Sequence, residues 1–299
     1  MKKIIKVILI TGLLLPVTPV VAADTPPAIA VIDTGTNPAL FQTNIITEYC
    51  VVESFTCPNG KKNMEGVGAS QLPSSTVKSL DHGTQMLSII KQINPNAKVI
   101  PIRIVGVQIS TGLPGVYTND SVKSALDWVI ANRAKFNITV VSISQGAIFA
   151  GCKVPAGMIQ QVAILKLVNV AVIASTGNDG NKIAINSPAC IPDVVAIGAT
   201  DNPSSGINGE TWDPSAAPYI ARYSNVSSGV DFYTNARFMT TTLNGNQKFS
   251  VGTSNATAAF AAWWQLNDKG SFDSTYSYLV STSSIAKNEF SSGRYIEIK

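Results

Sequence analysis

Short apolar runs and helical stretches alternate along this chain, and that alternation restricts the fold more than any other feature. Residues 28–32 read as a buried strand, and 82–92 place Met86, Ile89 and Ile90 at helical spacing. A strand over 98–105 and a helix over 121–134 come next, the helix carrying Val122, Ala125, Leu126, Val129 and Ile130 on one stripe. The same order continues with a strand at 139–143, a helix at 158–167, strands at 169–174 and 194–199, a helix at 254–266 and a strand-like ending at 294–298. Strands apolar on both faces must be covered on both faces, and crossover helices do this. The expectation is an α/β fold, a three-layer αβα sandwich around a mainly parallel central sheet. With 299 residues, 45% apolar and only 13% charged, the chain can bury such a core, which excludes a disulfide-held miniprotein and a disordered charged tail. Two segments interrupt the rhythm, 48–75 and 202–217, the second holding Trp212; both read as surface excursions rather than domain boundaries.

The formal net charge of +4 is concentrated at one end, since Lys2, Lys3 and Lys6 precede an apolar run at 7–15 and the small residues Val21, Ala22 and Ala23. This reads as a secretory signal peptide over residues 1–23, with residues 24–299 as one domain of a secreted or periplasmic protein. The apolar run is short of the roughly 20 residues that a span needs, and Pro16 and Pro19 interrupt the residues after it, so no stable membrane anchor is expected. The other basic residues are scattered, which speaks against nucleic acid as a partner. Export makes disulfides the expected state of Cys50, Cys57, Cys152 and Cys190. Of three connectivities, Cys50 with Cys57 and Cys152 with Cys190 is preferred, because the first pair closes one small loop. Zinc is a weak alternative, since the spacing is not C-x-x-C and the single histidine has a better use.

That histidine, His82, stands in Asp81-His82-Gly83-Thr84 at a helix start. Two further signals accompany it. Val31-Ile32-Asp33-Thr34-Gly35 puts a carboxylate at the end of a buried strand, and Gly252-Thr253-Ser254 puts a hydroxyl at a turn into a helix. A serine hydroxyl needs an imidazole to take its proton, and the imidazolium needs a carboxylate on its other nitrogen; Asp33, His82 and Ser254 supply all three.

The chain order Asp, His, Ser resembles that of the subtilisin-like serine proteases, and the resemblance runs from about residue 28 to the C-terminus. Ser175-Thr176-Gly177-Asn178-Asp179-Gly180 is similar to the family segment that carries the side-chain donor of the oxyanion hole, here Asn178. Ser144-Gln145-Gly146 is similar to the strand that pairs with substrate backbone, and Ser175, Thr176 and Gly177 are expected on the substrate side as well. The segments 191–199 and Ala221-Arg222-Tyr223-Ser224-Asn225 come after them in family order. The resemblance implies a subtilisin-like fold and a serine endopeptidase acting on polypeptides through an acyl-enzyme on Ser254. His82 would be the general base, and Asn178 with the Ser254 backbone N–H would hold the oxyanion. No cofactor or metal is required by that chemistry. Structural calcium is not readable, since Asp179, Gly180 and Asn181 do not fit an EF-hand loop. In this frame the Cys152–Cys190 bond would brace a pocket wall. Asp81, adjacent to His82, is expected to cap the helix rather than to orient the ring.

Two departures stand out. Asn255 and Ala258 occupy positions where relatives often have Met and Pro, a change neutral for catalysis. Asp33 also lies only ten residues after Ala23, too few for the prodomain common in secreted relatives. Restraint would then fall to a dedicated substrate or inhibitor partner, narrow specificity or slow turnover. It also keeps a catalytically inactive peptide-binding protein as the alternative. An α/β-hydrolase esterase does not fit, because Asn255-Ala256 breaks the G-x-S-x-G pattern.

Overall fold

The computed structural model describes residues 25–73, 78–108, 111–115, 118–147, 152–201 and 218–298. The leader and the 202–217 excursion lie outside the described residues. The first half of the chain runs β1 (Ala28–Asp33), β2 (Tyr49–Val51), β3 (Asn63–Glu65), α1 (His82–Ile93), β4 (Lys98–Arg103), α2 (Asn119–Asn132), β5 (Ile138–Ile143) and α3 (Met158–Leu167). The second half runs β6 (Ala171–Ser175), β7 (Val195–Thr200), β8 (Phe232–Asn235), β9 (Arg237–Thr241), β10 (Gln247–Val251), α4 (Thr253–Leu266), α5 (Phe272–Thr282), β11 (Ser284–Lys287) and β12 (Ser292–Ile296).

Ten strands form the central sheet in the order β11-β12-β8-β7-β6-β5-β1-β4-β2-β3. Its pairs are parallel except at the two outer edges, β11 with β12 and β2 with β3. Alternate residues of each inner strand enter separate cores. Ala28, Ala30, Ile32, Ile100, Ile102, Val141 and Ile143 face one side, where α2 and α3 pack. Ile29, Val31, Val99, Val140 and Ile173 face the other, with α1, α4 and α5. This is the expected three-layer arrangement, and it explains why the strands show no polar face.

Strand β1 pairs with β4 on one side and with β5 on the other, so the chain reverses its direction of travel across the sheet at β1. In open α/β sheets such a switch point opens a crevice at the carboxyl ends of the strands. Asp33 is the last residue of β1 and therefore lies buried beneath that crevice.

The 48–73 segment is more than a surface excursion. It adds β2 and β3 to the sheet edge and buries Cys50, Val52, Cys57 and Ala69 as a small core of their own. The buried Glu48 carboxylate gathers Gly68 N (2.8 Å), Ser70 N (2.9 Å) and Ser70 Oγ (2.7 Å), folding the segment back on itself. Strands of three residues are too short to show a period in the sequence. Cys50 is bonded to Cys57, and Cys152 to Cys190, the preferred connectivity.

Candidate active site

Thr34 connects β1 to the start of α1. Its hydroxyl donates to Leu80 O (3.1 Å) and accepts from Gly83 N (3.0 Å), which fixes the first turn of α1 against the end of β1. The approach requires glycine at position 83, since a Cβ there would lie 2.2 Å from Gly35 O. His82, the first residue of α1, is thereby set against Asp33. Its Nδ1 lies 2.8 Å from Oδ1 and 3.0 Å from Oδ2 of a carboxylate that is 2% exposed. Thr34 N also donates to Oδ1 (2.7 Å). Burial pulls the pKa of His82 down, but the charge and hydrogen bond of Asp33 outweigh it, and the Lys248 ammonium opposes them; the net direction is up.

Ser254 is the second residue of α4. Its Oγ donates to Ser144 O (3.2 Å), and Ser144 Oγ donates to Ser254 O (3.1 Å), a reciprocal pair that ties α4 to the end of β5. The nucleophile candidate thus faces the wall strand rather than the imidazole. Asn178 reaches the same helix end, where its Oδ1 accepts from Thr253 N (2.9 Å) and Thr253 Oγ1 (3.0 Å). The carbonyl half of this amide therefore serves as the helix cap, which Gly252 has no side chain to provide. The Nδ2 half is left on the side of Gly252, where a Cβ would stand 3.4 Å from it.

An open cleft of about 510 Å³ joins these groups, with His82, Gln145, Gly146, Asn178 and Ser254 on its walls. Ser175 and Gly177 line it too. Thr176, expected on the substrate side, lies behind the wall: it is fully buried, and its carbonyl accepts from Asn186 N and Asn225 Nδ2 (2.9 Å each). Ser144 and Gly146 lie on the wall, but Gln145 directs its side chain to the Asp33–His82 pair. The wall is braced where Ser187 N donates to Ala147 O (2.9 Å) and Cys190, bonded to Cys152, donates its N–H to Asn186 O (3.0 Å).

Asp81 does not orient His82, as expected, but neither does it cap α1. Its side chain makes no cap bond, and Oδ1 accepts instead from Leu243 N (3.1 Å), in the turn between β9 and β10. A 3-10 turn over Lys78–Asp81 leads directly into α1, so Asp81 has helical backbone angles and its carboxylate is turned away from the first N–H groups. Asn225 is a residue whose position in a family segment carried no role in the sequence. Its buried amide accepts from Asp179 N (3.0 Å) and Asn181 N (2.9 Å) and donates to Thr176 O, Asp179 Oδ2 (3.0 Å) and Asn186 Oδ1 (3.2 Å). It folds the loop that carries Asn178.

The subtilase family profile matches residues 24–293. This chain belongs to the subtilase family. Its relatives include the minor extracellular protease Epr of Bacillus subtilis (strain 168), 27% identical over 229 residues, covering 72% of this chain and 31% of that protein. The extracellular serine proteinase of Thermus sp. (strain Rt41A) is 24% identical over 193 residues, or 60% of this chain and 40% of that protein. This subtilase therefore spans about a third to two fifths of the length of these relatives. Among solved structures, the S41 psychrophilic protease superposes with a TM-score of 0.68 at 18% identity, covering 92% of both chains. A cold-adapted subtilisin-like serine proteinase gives 0.65 at 20% identity, with 91% of this chain and 89% of that one covered. At these identities the superpositions establish the subtilase fold.

Proposed function

We propose that this subtilase is a serine endopeptidase that hydrolyses polypeptides through an acyl-enzyme on Ser254. The observation that supports this best is the meeting of His82, Ser254 and Asn178 on the walls of one cleft at the sheet's switch point, with Asp33 buried against the ring of His82. An extended peptide lying along 144–146 competes for Ser144 O by donating its own N–H there, recognition by strand addition. Ser254 Oγ is then released towards His82, consistent with the looser contacts of unliganded sites. As Oγ bonds to the scissile carbonyl carbon, His82 Nε2 takes its proton, and Asp33 holds the opposite ring nitrogen and balances the new charge. The oxyanion is met by Asn178 Nδ2 and Ser254 N at the positive end of α4. His82 returns its proton to the departing amine, and water resolves the ester by the same route. These groups complete the reaction without a cofactor.

Export is part of the proposal, resting on the leader and on relatives named as extracellular, and it makes the substrate an extracytoplasmic polypeptide. A dedicated substrate or inhibitor partner would restrain the enzyme. The Ser254–Ser144 bond favours one second reading, a peptide-binding protein that never engages His82. A fluorophosphonate probe separates them. Labelling of the wild type but not of Ser254→Ala supports catalysis, and an unlabelled, folded wild type supports binding alone.

A further inference from the structure

Gln145 follows the end of β5 on the cleft wall, and its side chain turns to the Asp33–His82 pair. Nε2 lies 3.1 Å from Asp33 Oδ1 and 3.0 Å from His82 Nδ1. The orientation of the amide rests on chemistry, because its oxygen in that place would oppose a carboxylate oxygen, whereas its N–H donates to it. Asp33 Oδ1 then receives three donors: Thr34 N, His82 Nδ1 and Gln145 Nε2. The two carboxylate oxygens at 2.8 and 3.0 Å keep the ring proton on Nδ1, so the amide stands beside the ring as a second positive dipole end and not as its acceptor.

We infer that Gln145 is a positioning residue that tempers the Asp33–His82 couple, drawing on the carboxylate's charge and so limiting how strongly it holds a protonated imidazole. The inference rests on the endopeptidase reading for its role in turnover, but its electrostatic part is independent of activity. The charged groups around His82 are Asp33 on β1, Asp81 at the adjoining turn, whose Oδ1 is engaged by Leu243 N, and Lys248 on β10. Gln145 is the uncharged group that contacts both members of the pair. A general base must release its proton as readily as it takes it, and a carboxylate with fewer donors would make the imidazolium too stable.

The chain has one histidine, so its imidazole resonances titrate without competition in an NMR experiment on the full-length protein. Gln145→Met keeps the shape and removes the donor. It should raise the His82 midpoint by roughly half to one pH unit, the size of one hydrogen bond to the couple. Gln145→Glu, which adds a charge, should raise it further. In active protein the acid limb of kcat/KM should move with the NMR midpoint while KM changes little. Recording the same titrations in a Ser254→Ala background tests the electrostatics where no turnover exists, so loss of the endopeptidase reading would leave this result standing. A midpoint unmoved in both variants, at matched thermal stability, overturns the inference. A rise in KM with the pH limb fixed would do the same and return Gln145 to the substrate strand.

Discussion

The two halves of the candidate active-site cleft are held in different ways. On one side Asp33 and His82 are locked together by two contacts of 2.8 and 3.0 Å, with Thr34 and Gln145 completing the shell of the carboxylate. On the other side Ser254 and Asn178 are anchored to protein groups through the atoms that are not needed, or not yet needed, for chemistry: Ser254 Oγ to Ser144 O, and Asn178 Oδ1 to the first N–H of α4. A buried carboxylate must be satisfied in the resting protein, so the acid–base half forms with the fold. The half that meets substrate keeps Asn178 Nδ2 on the open side of Gly252, while the Ser254 hydroxyl rests on Ser144 O. The difference teaches that the couple is preorganised by the need to bury a charge, while the candidate nucleophile is positioned by a helix end and, in the proposed mechanism, is completed by substrate.

The sharpest break comes from Ser254→Ala, which should lower turnover by roughly 10⁶, a magnitude that derives from subtilisin. Progress curves on a peptide substrate would show it, while thermal unfolding stays close to wild type. Next in size is the contrast between the two aspartates. Asp33→Asn should cost about 10⁴ in kcat through loss of the correct tautomer. Asp81→Asn should retain most of the activity, because an amide oxygen still accepts from Leu243 N. A reversal of that order, at equal stability, would place the orienting carboxylate on the wrong residue.

Asn178 tests whether the substrate half truly divides its labour within one amide. Asn178→Ala should reduce kcat by about 10²–10³, again a subtilisin magnitude. It should also destabilise the fold by about 1 kcal/mol, since Thr253 N loses its cap. Asn178→Asp should keep the cap and the melting temperature but lose at least as much turnover. Similar melting of the two variants would show that the cap contributes nothing. The smallest effect concerns pH. The His82 pKa is raised above its ordinary 6.5, so its contribution to stability is complete below that value and is lost as pH rises through the folded midpoint. In Asp33→Asn the lowering effects of burial and Lys248 remain, and the slope over this range should flatten or reverse; denaturant midpoints from pH 5 to 9 would record it.

Much of this was legible from residue order. The inner strands β1, β4, β5, β6 and β7 were visible as apolar runs, whereas β8, four residues ending in Thr234 and Asn235, was not; β1 and α3 differ from their expected bounds by one residue or none. Asp33, His82 and Ser254 were legible as candidates because the chemistry requires those residue types beside glycines at tight approaches, and Asn178 through the resemblance of its segment to the subtilase family. The edge strands β2 and β3 and the separate two-stranded sheet of β9 and β10 were not, being short and largely exposed or half-buried, with no sustained period to read. The side-chain destinations of Asp81 and Gln145 and the burial of Thr176 were equally hidden, because each depends on groups far away in the chain: Leu243 N for Asp81, Asp33 for Gln145, and Asn225 on the Thr176 carbonyl.

By itself, then, the sequence determined the layered fold and singled out the candidate reacting groups. Hydrophobic periodicity and the scarcity of chemically competent side chains are local properties, and a chain with one histidine leaves little choice of base. Only the tertiary structure decided which way each polar side chain turns. A buried donor or acceptor takes whichever partner the fold brings within about 3 Å, and that choice settles after strands distant in sequence have packed. This is why Gln145, in a strand read as a substrate wall, belongs in space to Asp33 and His82.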